Sequence, residues 1–229
     1  MRSSRAGLVA LACALASISR AAVDPGSATA PRADFVPPAP GSYTLQRIQT
    51  CPDGVLLDAA ARTSRLSSHT TGKITLLTFF YTYCHDPWGC PFAYQTLTGL
   101  RERLLAEPEL ARRVRFVSVS FDPTHDTPAV LGRYGSHLSD TRFEWRFLTA
   151  RSVAELMPVL DGFGQDVSVV VDERGQPTRT VDHMLKLFLI DRHGVVREIY
   201  SLAYLQPQVM LNDIKTLAMD ESAGLTAVR

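Results

Sequence analysis

A continuous apolar run, Thr75-Leu76-Leu77-Thr78-Phe79-Phe80-Tyr81-Thr82, leads to a cysteine, Cys84, and a second cysteine, Cys90, is followed at once by Pro91 and a helical pattern. A run with no apolar/polar alternation has no face to show to water, so it reads as a strand buried on both sides, the pattern of a sheet covered above and below. Thiolates are the softest protein ligands and the main protein redox group. A pair held at a strand-to-helix junction can bind a thiophilic metal, exchange electrons as a disulfide, or do both.

The flanking pattern extends this reading. Ala93, Leu97, Leu100 and Leu104 repeat at helical spacing up to Pro108, and Val114 to Phe121 is a second buried strand. Thr127-Pro128 opens a helix, Phe143 to Leu148 is a weaker strand, and Ser152 caps a helix through Leu160. Val167 to Val171 and Leu185 to Ile190 read as strands. Asp191-Arg192-His193-Gly194 turns the chain into Val195 to Tyr200, and Pro207 to Met219 is an amphipathic helix. Ahead of these, Tyr43 to Ile48 reads as an edge strand, with Val55-Leu57 returning as its hairpin partner after the turn Pro52-Asp53-Gly54. The expected fold is α/β: a thioredoxin-like arrangement with a central mixed β-sheet flanked by helices and an N-terminal β-hairpin. In that plan the redox cysteines sit where the first buried strand meets its helix, and Cys84 and Cys90 fall there.

The chain has 229 residues with a formal net charge of +1, so no basic field points to nucleic acid. Arg2 and Arg5 precede a short apolar run, Ala6 to Ile18, and then Ser19-Arg20-Ala21-Ala22; residues 1–22 read as a secretory signal peptide. A retained signal segment would instead tether the chain to a membrane. Residues 23–42, rich in Pro, Ala, Gly and Ser, read as a flexible linker, and 43–229 as the folded domain. Export places the protein in an oxidising compartment, the periplasm or the outer face of the inner membrane. With Cys13 lying in the signal segment, Cys51, Cys84 and Cys90 remain, which suits a functional pair plus one extra thiol.

Pro91 fits best at the first helical position, which makes Cys90 the expected N-cap, where the helix dipole and unsatisfied N–H groups should favour its thiolate. Residues six apart do not face each other on a regular helix, so His85-Asp86-Pro87-Trp88-Gly89 must loop out. Trp88 in that loop is either a contact for a partner or packs on the loop itself. His85 could serve as a further ligand or stand as an exposed loop residue. His69, His125, His137 and His193 read as surface residues.

Phe79-Phe80-Tyr81-Thr82-Tyr83-Cys84 followed by Cys90-Pro91 resembles the core motif of the Sco/SenC copper chaperones. The stretch Val117 to Pro128, Phe147-Leu148-Thr149, and Val181-Asp182-His183 followed by a strand are similar to that family's later blocks. The resemblance covers the whole expected domain. It implies a thioredoxin fold and an exported metallochaperone that binds copper, Cu(I) or Cu(II), through Cys84, Cys90 and His183. It implies delivery of that copper to, or preparation of, the CuA-bearing subunit of cytochrome c oxidase or another exported cuproprotein. Copper binding needs reduced thiols, so a Cys84–Cys90 disulfide would switch it off, and an exported thiol reductant is then required. His85, Asp86 and Asp182 are expected beside the ligands, Asp86 as a loop residue or a support for the ligands and Asp182 as a partner that orients His183. The family usually has three residues between its cysteines; here there are five. A chaperone of this kind is not a turnover enzyme. The competing enzymatic reading is an exported thiol–disulfide oxidoreductase; a peroxiredoxin-like peroxidase is a weaker one, since Thr82 stands two residues before Cys84 where that family has its threonine three before.

Overall fold

The computed structural model describes residues 34–138 and 141–226. The signal segment at 1–22 and the first part of the 23–42 linker lie outside the described residues.

In chain order the elements are β1 (Gln49–Thr50), β2 (Val55–Leu57), β3 (Thr63–Arg65), α1 (Ser67–Thr70), β4 (Ile74–Phe80), α2 (Cys90–Leu105), α3 (Pro108–Arg113) and β5 (Val114–Ser120). Then come α4 (Pro128–Tyr134), β6 (Glu144–Leu148), α5 (Val153–Gly162), β7 (Val167–Val171), β8 (Pro177–His183), β9 (Lys186–Ile190), β10 (Val195–Ser201) and α6 (Pro207–Thr226). One six-stranded sheet has the order β1-β10-β9-β4-β5-β6. Strands β4, β5 and β6 run parallel, while β9, β10 and β1 join antiparallel, so the sheet is mixed. Helices flank it: α2 packs against α6, and α4 against β6.

Every residue of β4 and β5 is buried, as central strands covered on both faces require, and the one charged member, Arg115, donates to the Ser68 and Thr71 carbonyls. Successive side chains of β4 leave on opposite faces. Phe79 packs against Phe121, Phe163 and Phe188 at centroid distances of 5.8, 5.5 and 6.2 Å, and Phe80 packs on Tyr134 and Phe147 at 5.4 and 5.7 Å. The aromatic core therefore clamps β4 from both sides just before the cysteine loop. Phe80 of β4 lies in register with Ser120 of β5, so the segments that follow the two strands leave side by side at the carboxyl edge of the sheet. That crevice is where parallel sheets place their sites.

Three expectations need correction. The edge strand is Gln49–Thr50, pairing with Val195 and Val196, and does not extend over Tyr43 to Ile48. Tyr43 is drawn instead to α6, where its hydroxyl donates to Asp213, while Gly41 N–H donates to Thr216 Oγ1 and Asn212 Nδ2 donates to the Pro38 carbonyl. Val55–Leu57 pairs with Thr63–Arg65, so the N-terminal hairpin is built from different strands. Asp58 fixes its turn by accepting from the Ala60 and Arg62 amides, both at 2.9 Å. Finally, Val167–Val171 lies outside the main sheet. It pairs only with β8, a strand whose polar sequence hid it, and the two form a separate hairpin with Val169 and Val171 more than half exposed.

Candidate metal centre

Cys84 lies on the loop that follows β4, its amide donating to the Tyr81 carbonyl at 3.3 Å. The five intervening residues form a tight local turn: Trp88 N–H donates to Asp86 Oδ1, and Gly89 N–H to the Asp86 carbonyl, both at 3.0 Å. Gly89 caps α2, Cys90 is the first helical residue and Pro91 the second, one position later than its sequence suggests. Asp86 therefore takes the loop-building role, and its backbone also hydrogen-bonds Cys84. Trp88 packs on Phe92 of α2, ring centroids 5.9 Å apart, and is 43% exposed.

Both cysteines are free thiols, Cys90 buried and Cys84 half-buried. The expected roles within the pair are reversed. The Cys90 thiol hydrogen-bonds Cys84, and this, with the Cys90 backbone N–H, Tyr81 and the Asp86 backbone, outweighs burial and lowers the Cys84 pKa to about 5. Cys90 is pushed far up, first by sharing that hydrogen bond with Cys84 and then by burial. The helix N-terminus thus acts across the loop on Cys84, and the pair is a thiolate beside a protonated thiol. Tyr81, read from the sequence as a core residue only, also belongs to the site; burial and its hydrogen bond to Cys84 raise its phenol.

His183 ends β8. Its Nδ1 lies 3.1 Å from the Val181 carbonyl oxygen, which can only accept, so Nδ1 carries the proton. Nε2 is buried and has no hydrogen-bond partner among the described residues. The ring is held edge-on by Phe121, at 4.6 Å, and by Tyr81, at 6.0 Å. Asp182, expected to orient this ring, does not; the Val181 carbonyl has that task. His183 and Asp182 line a cavity of about 370 Å³ with Tyr81, Tyr83, His85 and Asp86. A second cavity, of about 440 Å³, joins His183 to Trp88 and Gly89. The structure thus brings His183 to the cysteine loop from the far hairpin. Among the described residues, no three His, Cys, Asp or Glu side chains converge closely enough to hold an ion as they stand.

The loop after β5 supports the site from below. Asp126 is fully buried and accepts from Thr82 N–H at 3.0 Å, Thr82 Oγ1 at 2.5 Å, Ser120 Oγ at 2.6 Å and His125 Nδ1 at 3.0 Å. Tyr83, next to Cys84, donates to Asp122 at 2.5 Å and packs on His125 at 4.5 Å. His125 is therefore part of the loop's foundation, not a remote surface residue. His69 is also half-buried, hydrogen-bonded to Ser64 Oγ at 2.7 Å. Cys51 stands apart, half-buried and with its thiol raised to about 11 by burial.

A mixed sheet whose central parallel strand leads into a loop bearing one cysteine, with the next helix starting at another, defines a thioredoxin-like domain carrying a thiol pair. The chain belongs to the SCO1/SenC family, whose model matches residues 56–219. It is 26% identical over 130 residues to a SCO1 protein homolog of Bacillus subtilis (strain 168), a match that covers 57% of this chain and spans 63% of that relative's length. Bradyrhizobium japonicum ScoI, solved with copper bound, is 26% identical and superposes with a TM-score of 0.58, covering 73% of this chain and 98% of that one. The apo Sco1 protein of Thermus thermophilus is 26% identical with a TM-score of 0.59, covering 76% and 95%.

Proposed function

We propose that this protein is an exported copper-binding assembly factor that holds copper through Cys84, Cys90 and His183 and delivers it to, or prepares, the CuA site of cytochrome c oxidase or a similar cuproprotein. The observation that carries this reading is His183 Nε2, a buried nitrogen with no hydrogen-bond partner among the described residues, on a ring that shares its cavity with His85 and Asp86 of the cysteine loop. Buried polar atoms are rarely left without a partner, and an unmet imidazole nitrogen in a cavity that reaches the loop between two thiols fits a soft metal ion. The copper-bound ScoI of Bradyrhizobium japonicum supports the same ion for this chain. When bound, copper would be held by the two sulfurs and the imidazole. The protein's own part is to keep Nδ1 of His183 protonated on Val181, to hold Cys84 deprotonated, and to release the Cys90 proton as its sulfur ligates.

Export through residues 1–22, or a tether if that segment is retained, belongs to this reading. Among the described residues no helix is long and apolar enough to cross a membrane. The test is competition for Cu(I) between the reduced protein and a chelator. Wild type should hold one equivalent, Cys84→Ser and Cys90→Ser should lose it, and equal copper retention by all three would end the proposal.

One observation favours the second reading, a thiol–disulfide reductase. A half-exposed thiolate at Cys84 backed by a buried thiol at Cys90 is the arrangement of an attacking and a resolving cysteine. Catalytic reduction of a model disulfide, without copper retention, would decide for it.

A further inference from the structure

His85 stands immediately after Cys84 and is exposed, and its ring lines the same cavity of about 370 Å³ as His183. No hydrogen bond engages the His85 ring among the described residues. Two imidazoles with uncommitted nitrogens therefore share one cavity, and one of them is the immediate neighbour of Cys84 in the chain. Residues 85–88 are all exposed, the bonds within the turn run to Asp86, and the Asp86 backbone bonds Cys84, so the loop can move together with Cys84, pivoting at the Trp88–Phe92 contact, without breaking a strand pairing. Two thiolates already suit a soft monovalent ion. Two thiolates with two imidazoles form a tetrahedral set that suits a divalent ion of borderline softness.

We propose that His85 is a fourth donor of this centre for divalent ions, joining Cys84, Cys90 and His183 when the loop draws in. The inference rests on the ligand set proposed above and adds a selectivity to it: His85 raises affinity for divalent ions while leaving Cu(I) to the sulfurs. Binding is a ligation step only. Metal–sulfur and metal–nitrogen bonds form as water leaves the ion, the Cys90 proton passes to solvent, and no electron moves.

Zn²⁺ and Co²⁺ are the probes, because neither oxidises the thiols. The full-length reduced protein, His85→Gln and His183→Ala are titrated separately with Zn²⁺ and with Cu(I) against chelators, and the Co²⁺ absorption spectrum of each is recorded. In His85→Gln, zinc affinity should fall at least about tenfold. Its Cu(I) affinity should stay within about threefold of wild type, less than a kilocalorie per mole, and the strong bands of tetrahedral Co²⁺ should weaken. An unchanged zinc affinity and cobalt spectrum, or equal losses for both ions, would overturn the role of His85 alone. If Cys84→Ser and Cys90→Ser bind both ions as wild type does, the whole ligand set falls, and His85 with it.

Discussion

His183 donates from Nδ1 to the carbonyl oxygen of Val181 at 3.1 Å, and in the neutral ring that bond leaves the Nε2 lone pair buried without a partner among the described residues. The Val181 carbonyl lies two residues back on the same strand, so the ring is oriented by β8 itself and carried wherever the hairpin goes.

Replacing His183 with alanine should remove a metal ligand without stranding any buried donor. Cu(I) affinity should fall at least about tenfold, read by chelator competition, with a thermal midpoint close to that of wild type. A variant with full copper affinity would show that Nε2 is not a ligand.

The thiol pair sets a pH dependence whose sign follows from Cys84. Its folded pKa, held down to about 5 chiefly by the Cys90 hydrogen bond, lies below the ordinary 9.0. The stability it contributes is fully present above pH 9, declines as pH falls through that window, and is gone below about 5. Alkylation of Cys84 by iodoacetamide should therefore stay fast into mildly acidic buffer with a midpoint near 5, while Cys90 stays unreactive. In Cys90→Ala the midpoint should rise toward about 8.5, the value of a free thiol. A wild-type midpoint already there would contradict the hydrogen-bonded pair.

Asp126 ties the cysteine loop to the β5 loop through Thr82, Ser120 and His125. Alanine at this position would strand those donors in a fully buried site and should cost about 3 kcal/mol. Urea denaturation gives the number, and a loss below about 1 kcal/mol would mean that the loop rebuilds its bonds elsewhere. Copper affinity should fall as well, since Thr82 precedes Cys84 by two residues.

Gly135 offers a control that touches stability and spares the site. A Cβ there would come within 2.6 Å of the Phe147 ring, although the backbone, at φ −87°, is open to any residue. Gly135→Ala should lose about 1–3 kcal/mol by overpacking, with Cu(I) affinity unchanged once the protein is folded.

The buried strands were legible because Ile74–Phe80 and Val114–Ser120 carry large apolar side chains on both faces, and the α5 cap because Ser152 Oγ accepts from Glu155 N–H as its position implies. The β7–β8 hairpin was not. Five residues of mostly valine, Val167–Val171, read as a core strand, yet they lie half in solvent because their partner is the polar segment Pro177–His183, not a core strand. Tyr43 to Ile48 carried the alternation of a strand, but Asp213 on α6 competes for Tyr43, and a bond between residues 170 positions apart leaves no local trace.

The amino-acid sequence by itself determined the chemistry on offer. It places soft donors at a strand-to-helix junction and writes a histidine after Asp182 in a pattern resembling one family. Tertiary structure decided which thiol carries the charge. Local reading favours Cys90, at the helix N-terminus, but burial raises a thiol, and the helix N–H and the Cys90 thiol itself point at Cys84 across the loop. It also decided that Val181 and not Asp182 orients His183, and that His85 shares a cavity with a residue nearly 100 positions away. Such relations depend on distance and solvent exposure, which a folded chain has and a linear one does not.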